Sequence, residues 1–256
     1  MNVLIVNDDG IDCEGLRILA ERVGKKHEVY VLAPDSNRSA TSHHVLMFQD
    51  LELKKIKKNQ WSCSGMPADC TSVALKTNLF DVKFDVVLSG INCGANLGTD
   101  IIYSGTCAGA RQAVLEGVPG IAVSLAPLDL EEVRKNGYKY IALADFVTSN
   151  LETLISLSAE KYPGTYVNIN AASADSYKGV KISNKLIERD YKDNLEIRKV
   201  ASSVFSHFTP QNSSVNDKST CTYTDSSAVK EGYIAISCLY AEPVAADVVD
   251  GISFKV

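Results

Sequence analysis

The chain has 256 residues, 45% of them hydrophobic and 22% charged, the balance of an ordinary globular protein built as one large α/β domain, alone or with an appendage. A net charge of −5 and a pI of about 5.4 argue against a nucleic-acid binder that relies on a general basic field. They leave room for a small anionic substrate, because a bound metal inverts the local charge. The cysteines Cys13, Cys63, Cys70, Cys93, Cys107, Cys221 and Cys238 are odd in number and form no C-x-x-C pair. That argues against a zinc site or disulfide framework and for reduced thiols in a cytoplasm. Residues 1–6 enter an apolar run with no basic region before it, so no signal peptide is expected, and no stretch approaches the ~20 apolar residues of a membrane span.

In chain order, residues 2–7 (NVLIVN) read as a buried parallel strand ended by Asp8-Asp9-Gly10. Leu16, Leu19, Ala20 and Val23 recur at helical spacing, which predicts a helix over 13–24. A second strand follows at 28–33, stopped by Pro34. Residues 45–64 read as a hairpin-like excursion whose lysines, Lys54, Lys55, Lys57 and Lys58, suit a solvated strand edge. The predicted elements continue with a helix over 68–80, a strand over 84–89, the turn-rich GINCGANLGTD, and a helix over 104–116. A strand over 120–125, one long helix over 131–158 and a strand over 165–170 complete an alternation that implies a Rossmann-like parallel sheet with helices on both faces. Beyond about residue 178 the chain turns polar, with strand-like pieces (VKIS, IRKVASSVF, YIAISC) and a loop at 209–220. It reads as a β-rich appendage within a single domain of core 1–177.

In such a sheet, ligands bind outside the carboxyl ends of the strands. Asp8 and Asp9 follow the first strand, Ser39 lies in the loop after the second, and Asn92 follows the third. Adjacent carboxylates repel unless a cation lies between them, and hard oxygens suit Mg²⁺, Mn²⁺ or Ca²⁺. Taken alone, the pair fits a metal or the capping of the next helix equally well. The glycines around Asn92 and Asn96 let backbone approach an anion, although an ordinary glycine-rich turn explains them by themselves. Ser104-Gly105-Thr106 opens a helix, where hydroxyls and free amides seat phosphate; Ser104 can also be a plain N-cap. Arg38 could hold a phosphate. His43 could act as an acid, but surface polarity is the better account of His43 and His44.

The series VNDDGI (6–11), APDSNRS (33–39), GMPADC (65–70), LSGINCGANLGTDIIYSGTCAGAR (88–111) and GVPGIAVS (117–124) closely resembles the SurE family of nucleotidases, with thinner likeness at 167–170 and 224–237. The resemblance implies a Rossmann-like core with a swapped C-terminal appendage, a homodimer or homotetramer, and no membrane or duplex nucleic-acid partner. It implies hydrolysis of nucleoside 5′- and 3′-monophosphates, and in some members of short polyphosphate. It also implies one divalent cation, Mg²⁺ or Mn²⁺, on Asp8, Asp9, Ser39 and Asn92, with Asn96, Ser104, Gly105 and Thr106 lining the phosphate site. Asp8 and Asp9 are then the catalytic pair, with Asp9 the better choice for orienting water. The chain departs from the family at Ala40-Thr41-Ser42-His43-His44 and at Met66, positions that bear on substrate preference and not on a ligand. A receiver domain would need a phosphoacceptor Asp where this chain has Asn92; a nucleotide sensor without turnover is the other alternative.

Overall fold

Strand β1 (Asn2–Val6) is apolar throughout because both its faces are covered: Val3 and Ile5 pack into one hydrophobic layer, Leu4 and Val6 into the other. The computed structural model describes residues 1–190, 194–209, 214–216 and 223–245. After β1 come α1 (Glu14–Val23), β2 (Glu28–Pro34), β3 (Leu53–Lys57), β4 (Gln60–Cys63), α2 (Pro67–Lys76), β5 (Val86–Cys93), a 3₁₀ turn (Gly98–Ile102), α3 (Gly105–Leu115) and β6 (Gly120–Ala126). Then follow α4 (Leu130–Asn136), α5 (Ile141–Ser149), α6 (Leu151–Ser156) running into a π turn (Leu157–Lys161), and β7 (Thr165–Ala172). The remainder holds β8 (Val180–Ile182), β9 (Glu188–Asp190), β10 (Asn194–Val200), β11 (Ser203–Thr209), β12 (Ser214–Asn216), α7 (Asp225–Lys230) and β13 (Ile234–Tyr240).

The main sheet has the order β3-β4-β2-β1-β5-β6-β7-β13-β8. The run from β4 to β7 is parallel throughout, the α/β core anticipated from the alternation. Antiparallel strands close both sides: β3 on β4, and β13 on β7, with β8 parallel to β13. Helices α1, α5 and α6 cover the face of Val3 and Ile5, while α2 and α3 cover the face of Leu4 and Val6. The chain leaves β1 toward β2 on one side and returns to β5 on the other. The crevice where strand order reverses therefore lies above β1 and β5.

Several predicted elements differ from those observed. The long helix over 131–158 is broken: Gly137 ends α4 at φ +75°, and a second break falls at Asn150 between α5 and α6. Helix α2 stops at Lys76, four residues short of the expected end, where the Thr77 hydroxyl bonds back to the Val73 carbonyl. The hairpin is confined to Leu53–Cys63, and β4 extends the core sheet by pairing with β2. Its lysine-bearing strand β3 is the sheet edge. The VKIS and YIAISC pieces, as β8 and β13, lie in the main sheet, whereas β10 and β11 form a separate two-stranded hairpin. Most of the 209–220 loop lies outside the described residues. Among the described cysteines, Cys63, Cys70 and Cys107 are buried, Cys13 and Cys238 half-buried and Cys93 exposed; Cys221 lies outside the described residues. No described helix is long and apolar enough to cross a membrane.

Candidate active site

Strand β1 ends at Val6, and Asn7 folds the chain back: its side chain donates to the Gly10 carbonyl at 2.9 Å and accepts the Gly10 amide at 3.3 Å. With the strand over, Asp8 and Asp9 no longer alternate faces. The loop after β2 is stitched to this turn. The Ile11 amide donates to the Pro34 carbonyl at 2.8 Å, and the Arg38 amide to the Asp8 carbonyl at 2.6 Å. Ser39 is therefore the residue next to one bonded directly to Asp8. Its amide donates to Asn37 Oδ1 at 2.9 Å, and no described hydrogen bond engages its hydroxyl.

Strand β5 brings the third element. Its register against β6 shifts between Ser89 and Asn92, a bulge that re-aims the strand end. Gly90 makes this possible: at φ +136°, a Cβ there would stand 2.2 Å from the Val123 carbonyl oxygen. Beyond the bulge, Asn92 Nδ2 donates to the Gly94 carbonyl at 2.9 Å, which identifies Oδ1 as the open end of the amide. The Cys93 amide donates to Asp9 Oδ2 at 3.2 Å, tying β5 to the acidic pair. The thiols of Cys93 and Cys13 also approach the Asp9 carboxylate, at 3.5 and 3.7 Å.

Helix α3 brings the fourth. Asp8 is buried, and its carboxylate accepts the Thr106 amide at 3.0 Å and the Thr106 hydroxyl at 2.6 Å. The carboxylate thus caps α3, nearly a hundred residues later, and not the helix that follows it in sequence; α1 has no side-chain cap. Gly105 permits the approach, since a Cβ there would stand 2.8 Å from Asp8 Cβ and 2.9 Å from Oδ2. Burial pushes the Asp8 carboxyl up; the Thr106 hydroxyl pulls it down, the charge of Asp9 pushes up again, and the balance is about 6. Ser104 is the N-cap, accepting the Cys107 amide at 2.9 Å. With the Thr106 and Cys107 amides engaged by the protein itself, the Gly105 amide is the one near this terminus with no described partner.

The remaining sequence candidates are placed as follows. Asn96 is buried away from the acidic pair's own hydrogen bonds: its Nδ2 donates to Ser124 Oγ at 2.8 Å and its amide to Asn170 Oδ1 at 2.8 Å. Its carbonyl accepts from Asn168 and Asn170 at 2.9 and 3.0 Å. Arg38 bonds Asp35 Oδ1 and the Ser64 carbonyl, both at 3.1 Å. His43 Nε2 meets Gln112 Oε1 at 2.7 Å and is half-buried, more than surface polarity alone requires.

Two features of the site escaped the sequence reading. Asn168 and Asn170 hold the 94–98 loop, and their signal was present: polar residues two apart in an otherwise apolar buried strand share one face. Asp225 clamps the same loop, accepting the Gly98 amide at 2.7 Å and the Ile187 amide at 2.9 Å. Nothing local to Asp225 announces that.

The arrangement suits a hard cation. Asp8 and Asp9 offer carboxylates, one of them raised by burial and by its neighbour's charge, a cost that a divalent ion between them relieves. Asn92 Oδ1 and the Ser39 hydroxyl add neutral oxygens. Among the described residues no cluster of three or more His, Cys, Asp or Glu is arranged to hold a metal, so two carboxylates and neutral oxygens are the whole of the candidate set. Beside it, a cleft of about 400 Å³ is lined by Asp9, Asp12, Asp35, Ser36 and Asn37 among others.

The family model "Survival protein SurE" matches residues 3–193. A protein of Treponema pallidum named 5′-nucleotidase SurE is 44% identical over 180 residues, covering 69% of this chain and 93% of that one. One of the same name from Petrotoga mobilis is 35% identical over 254 residues, covering 98% of this chain and 97% of that one. Among solved structures, the SurE protein of Aquifex aeolicus superposes with a TM-score of 0.78 at 28% identity, covering 95% of each chain.

Proposed function

The chain belongs to the SurE family, and from that premise we propose that it is a metal-dependent 5′-nucleotidase, hydrolysing nucleoside 5′-monophosphates to nucleoside and phosphate. The proposal extends to 3′-monophosphates and short polyphosphate as further substrates. The observation that supports it is a set of hydrogen bonds at the crevice where strand order reverses: Thr106 at the N-terminus of α3 and Arg38, beside Ser39, to Asp8, and Cys93, beside Asn92, to Asp9.

Asp8, Asp9, Ser39 and Asn92 would hold one Mg²⁺ or Mn²⁺. When bound, the ion supplies Lewis-acid polarisation of the phosphoryl group and a more acidic water. The chain's own residues do the rest. Thr106 fixes the Asp8 carboxylate with two donors, so its orientation is set before substrate arrives. Asp9, less deeply buried, orients the attacking water and takes its proton. The Gly105 amide and the positive end of α3 steady the phosphoryl oxygens as charge spreads over them. Asn96 acts from behind, holding the 94–98 loop against β6 and β7.

The proposal includes a cytoplasmic homodimer or homotetramer. The β10–β11 hairpin supports assembly, because Leu195, Ile197, Val204 and Phe205 are exposed on it with no cover from the described residues. The deciding assay is phosphate release from AMP, GMP, UMP, 3′-AMP and tripolyphosphate by metal-stripped protein, with and without Mn²⁺ or Mg²⁺, beside Asp9→Asn. Release that needs metal and collapses in the variant is expected. Metal binding without release from any nucleotide would remove the assignment in favour of a nucleotide sensor.

A further inference from the structure

The two acidic residues are held in different ways. Thr106 fixes Asp8 with an amide and a hydroxyl, the hydroxyl at 2.6 Å. Asp9 accepts from sulfur: Cys93 Sγ stands 3.5 Å from Oδ1 and Cys13 Sγ 3.7 Å from Oδ2, with the Cys93 amide 3.2 Å from Oδ2. We propose that Cys13 and Cys93 are positioning residues for Asp9, their thiols aiming its carboxylate at the attacking water while leaving it able to take a proton. The proposal rests on the reading of Asp9 as the water-orienting group of a nucleotidase and adds what holds it there.

Placement is the first argument. Cys13 occupies the N-cap position of α1, where a Ser, Thr, Asp or Asn would bond a free amide of the helix and stabilise it by about 1 kcal/mol. Its side chain caps nothing and meets Asp9 instead. Cys93 is exposed at the end of β5, yet both its amide and its thiol engage the same carboxylate. Its peptide is fixed in turn. The Tyr138 hydroxyl donates to the Cys93 carbonyl at 3.4 Å, and the Tyr138 ring stacks on that of the buried Tyr140. Gly15 explains why residues of two elements meet here. A Cβ on it would stand 2.0 Å from the Ile91 carbonyl oxygen, so glycine lets the first turn of α1 lie directly on β5. Cys13 comes just before that contact on one element and Cys93 just after it on the other, which brings both thiols to Asp9.

Chemistry is the second. A protonated thiol can only donate toward a carboxylate, and it is a weak donor. Among the described residues, these two thiols and one amide are all that bonds the Asp9 side chain. Long, weak bonds to both oxygens restrict rotation of the carboxylate and leave its lone pairs available to a proton. A short, strong bond of the kind made to Asp8 would fix it more firmly and make it a poorer base. Asp9, Cys13 and Cys93 also line one cleft of about 400 Å³, which admits water to the carboxylate they hold.

The test replaces both thiols in Cys13→Ala/Cys93→Ala, which leaves the Cys93 amide in place. With Mn²⁺ and AMP, kcat is expected to fall roughly tenfold, as when a reacting group is left loosely aimed, while KM changes less than about twofold. Cys93→Ser keeps a donor and should retain most of the kcat that Cys93→Ala loses. Thermal melts check that the fold is kept. Crystal structures give a readout independent of turnover: the Asp9 carboxylate should hold one orientation in the wild type and several in the double variant. An unchanged kcat, a loss confined to KM, or equal losses in Cys93→Ser and Cys93→Ala would overturn the proposal. So would a carboxylate that keeps its orientation without the thiols. If the wild type hydrolyses no nucleotide, the nucleotidase reading falls and the attacking water with it, and the crystal structures still decide whether the thiols hold Asp9.

Discussion

Thr106→Val removes one hydroxyl and little else. The O–H to Asp8 Oδ1 contact is 2.6 Å, buried, and made to a carboxylate, the geometry of a charge-assisted bond. Such a bond contributes about 1.5–3 kcal/mol, all of it to the ionised form that a cation needs. Its loss raises the Asp8 carboxyl further above 6, so protons compete with the cation and metal affinity at pH 7 should drop roughly two- to fifteenfold, more in mild acid. The Thr106 amide still reaches Oδ2, so the carboxylate keeps one anchor and the fold is retained. Calorimetric titration with Mn²⁺ reads the affinity, and phosphate release at fixed Mn²⁺ reads the consequence. Thr106→Ser keeps the hydroxyl and should recover most of both. If Thr106→Val binds Mn²⁺ and turns over AMP as the wild type does, the hydroxyl does not hold Asp8 ready for the metal, and the reasoning fails.

Gly105→Ala puts a Cβ 2.8 Å from Asp8 Cβ; overpacking should lower the thermal midpoint by an amount worth about 1–3 kcal/mol and reduce turnover more than Thr106→Val does. For metal-free protein, Asp8 sits at about 6, above its unfolded value, so the stability it contributes is present in acid and is lost as pH rises through 6. Thermal melts of the metal-free wild type should accordingly show stability falling by at most about 3 kcal/mol as pH rises from about 4 to about 6, a slope that Asp8→Asn lacks. Asp225→Ala leaves the Gly98 and Ile187 amides without their carboxylate and should cost roughly 2–6 kcal/mol in urea unfolding, since each buried donor left unmade costs about 1–3 kcal/mol. Ile197→Asp with Phe205→Asp should lower the mass seen by light scattering if the hairpin joins copies of the chain; an unchanged oligomer would place the interface elsewhere.

The parallel core was legible because its strands are buried on both faces, and an unbroken apolar run such as the VLIV of β1 or the β6 segment leaves little alternative. The crevice was legible in part: Asp8 and Ser39 follow β1 and β2, whereas Asn92, expected beyond a strand ending at 89, lies in the last paired stretch of β5, which the bulge after Ser89 carries on to Cys93. What sequence did not carry was distance. The bond between Asp8 and Thr106 spans 98 positions, and neither residue announces the other. Gly137 was visible, but a glycine in an apolar-periodic window marks a stop only once φ +75° is known. The split between α5 and α6 at Asn150 has even less local warning. Asn168 and Asn170 could have been read as a polar face within β7, yet their target, the Asn96 backbone, lies on a loop more than seventy residues earlier.

The position of β13 has a bearing on how the molecule is made. Its residues Ile234–Tyr240 sit inside the sheet, between β7 and β8, each of which is synthesised earlier. While the ribosome still holds the last part of the chain, the long flank of β7, Thr165–Ala172, presents unpaired backbone along a strand that is buried in the finished protein. That interval is the period of greatest hazard for sticking to a neighbour. Any change that delays delivery of β13, such as a longer or stiffer stretch between β8 and α7, would show first as inclusion bodies and lower yield, before any loss of activity in the molecules that succeed.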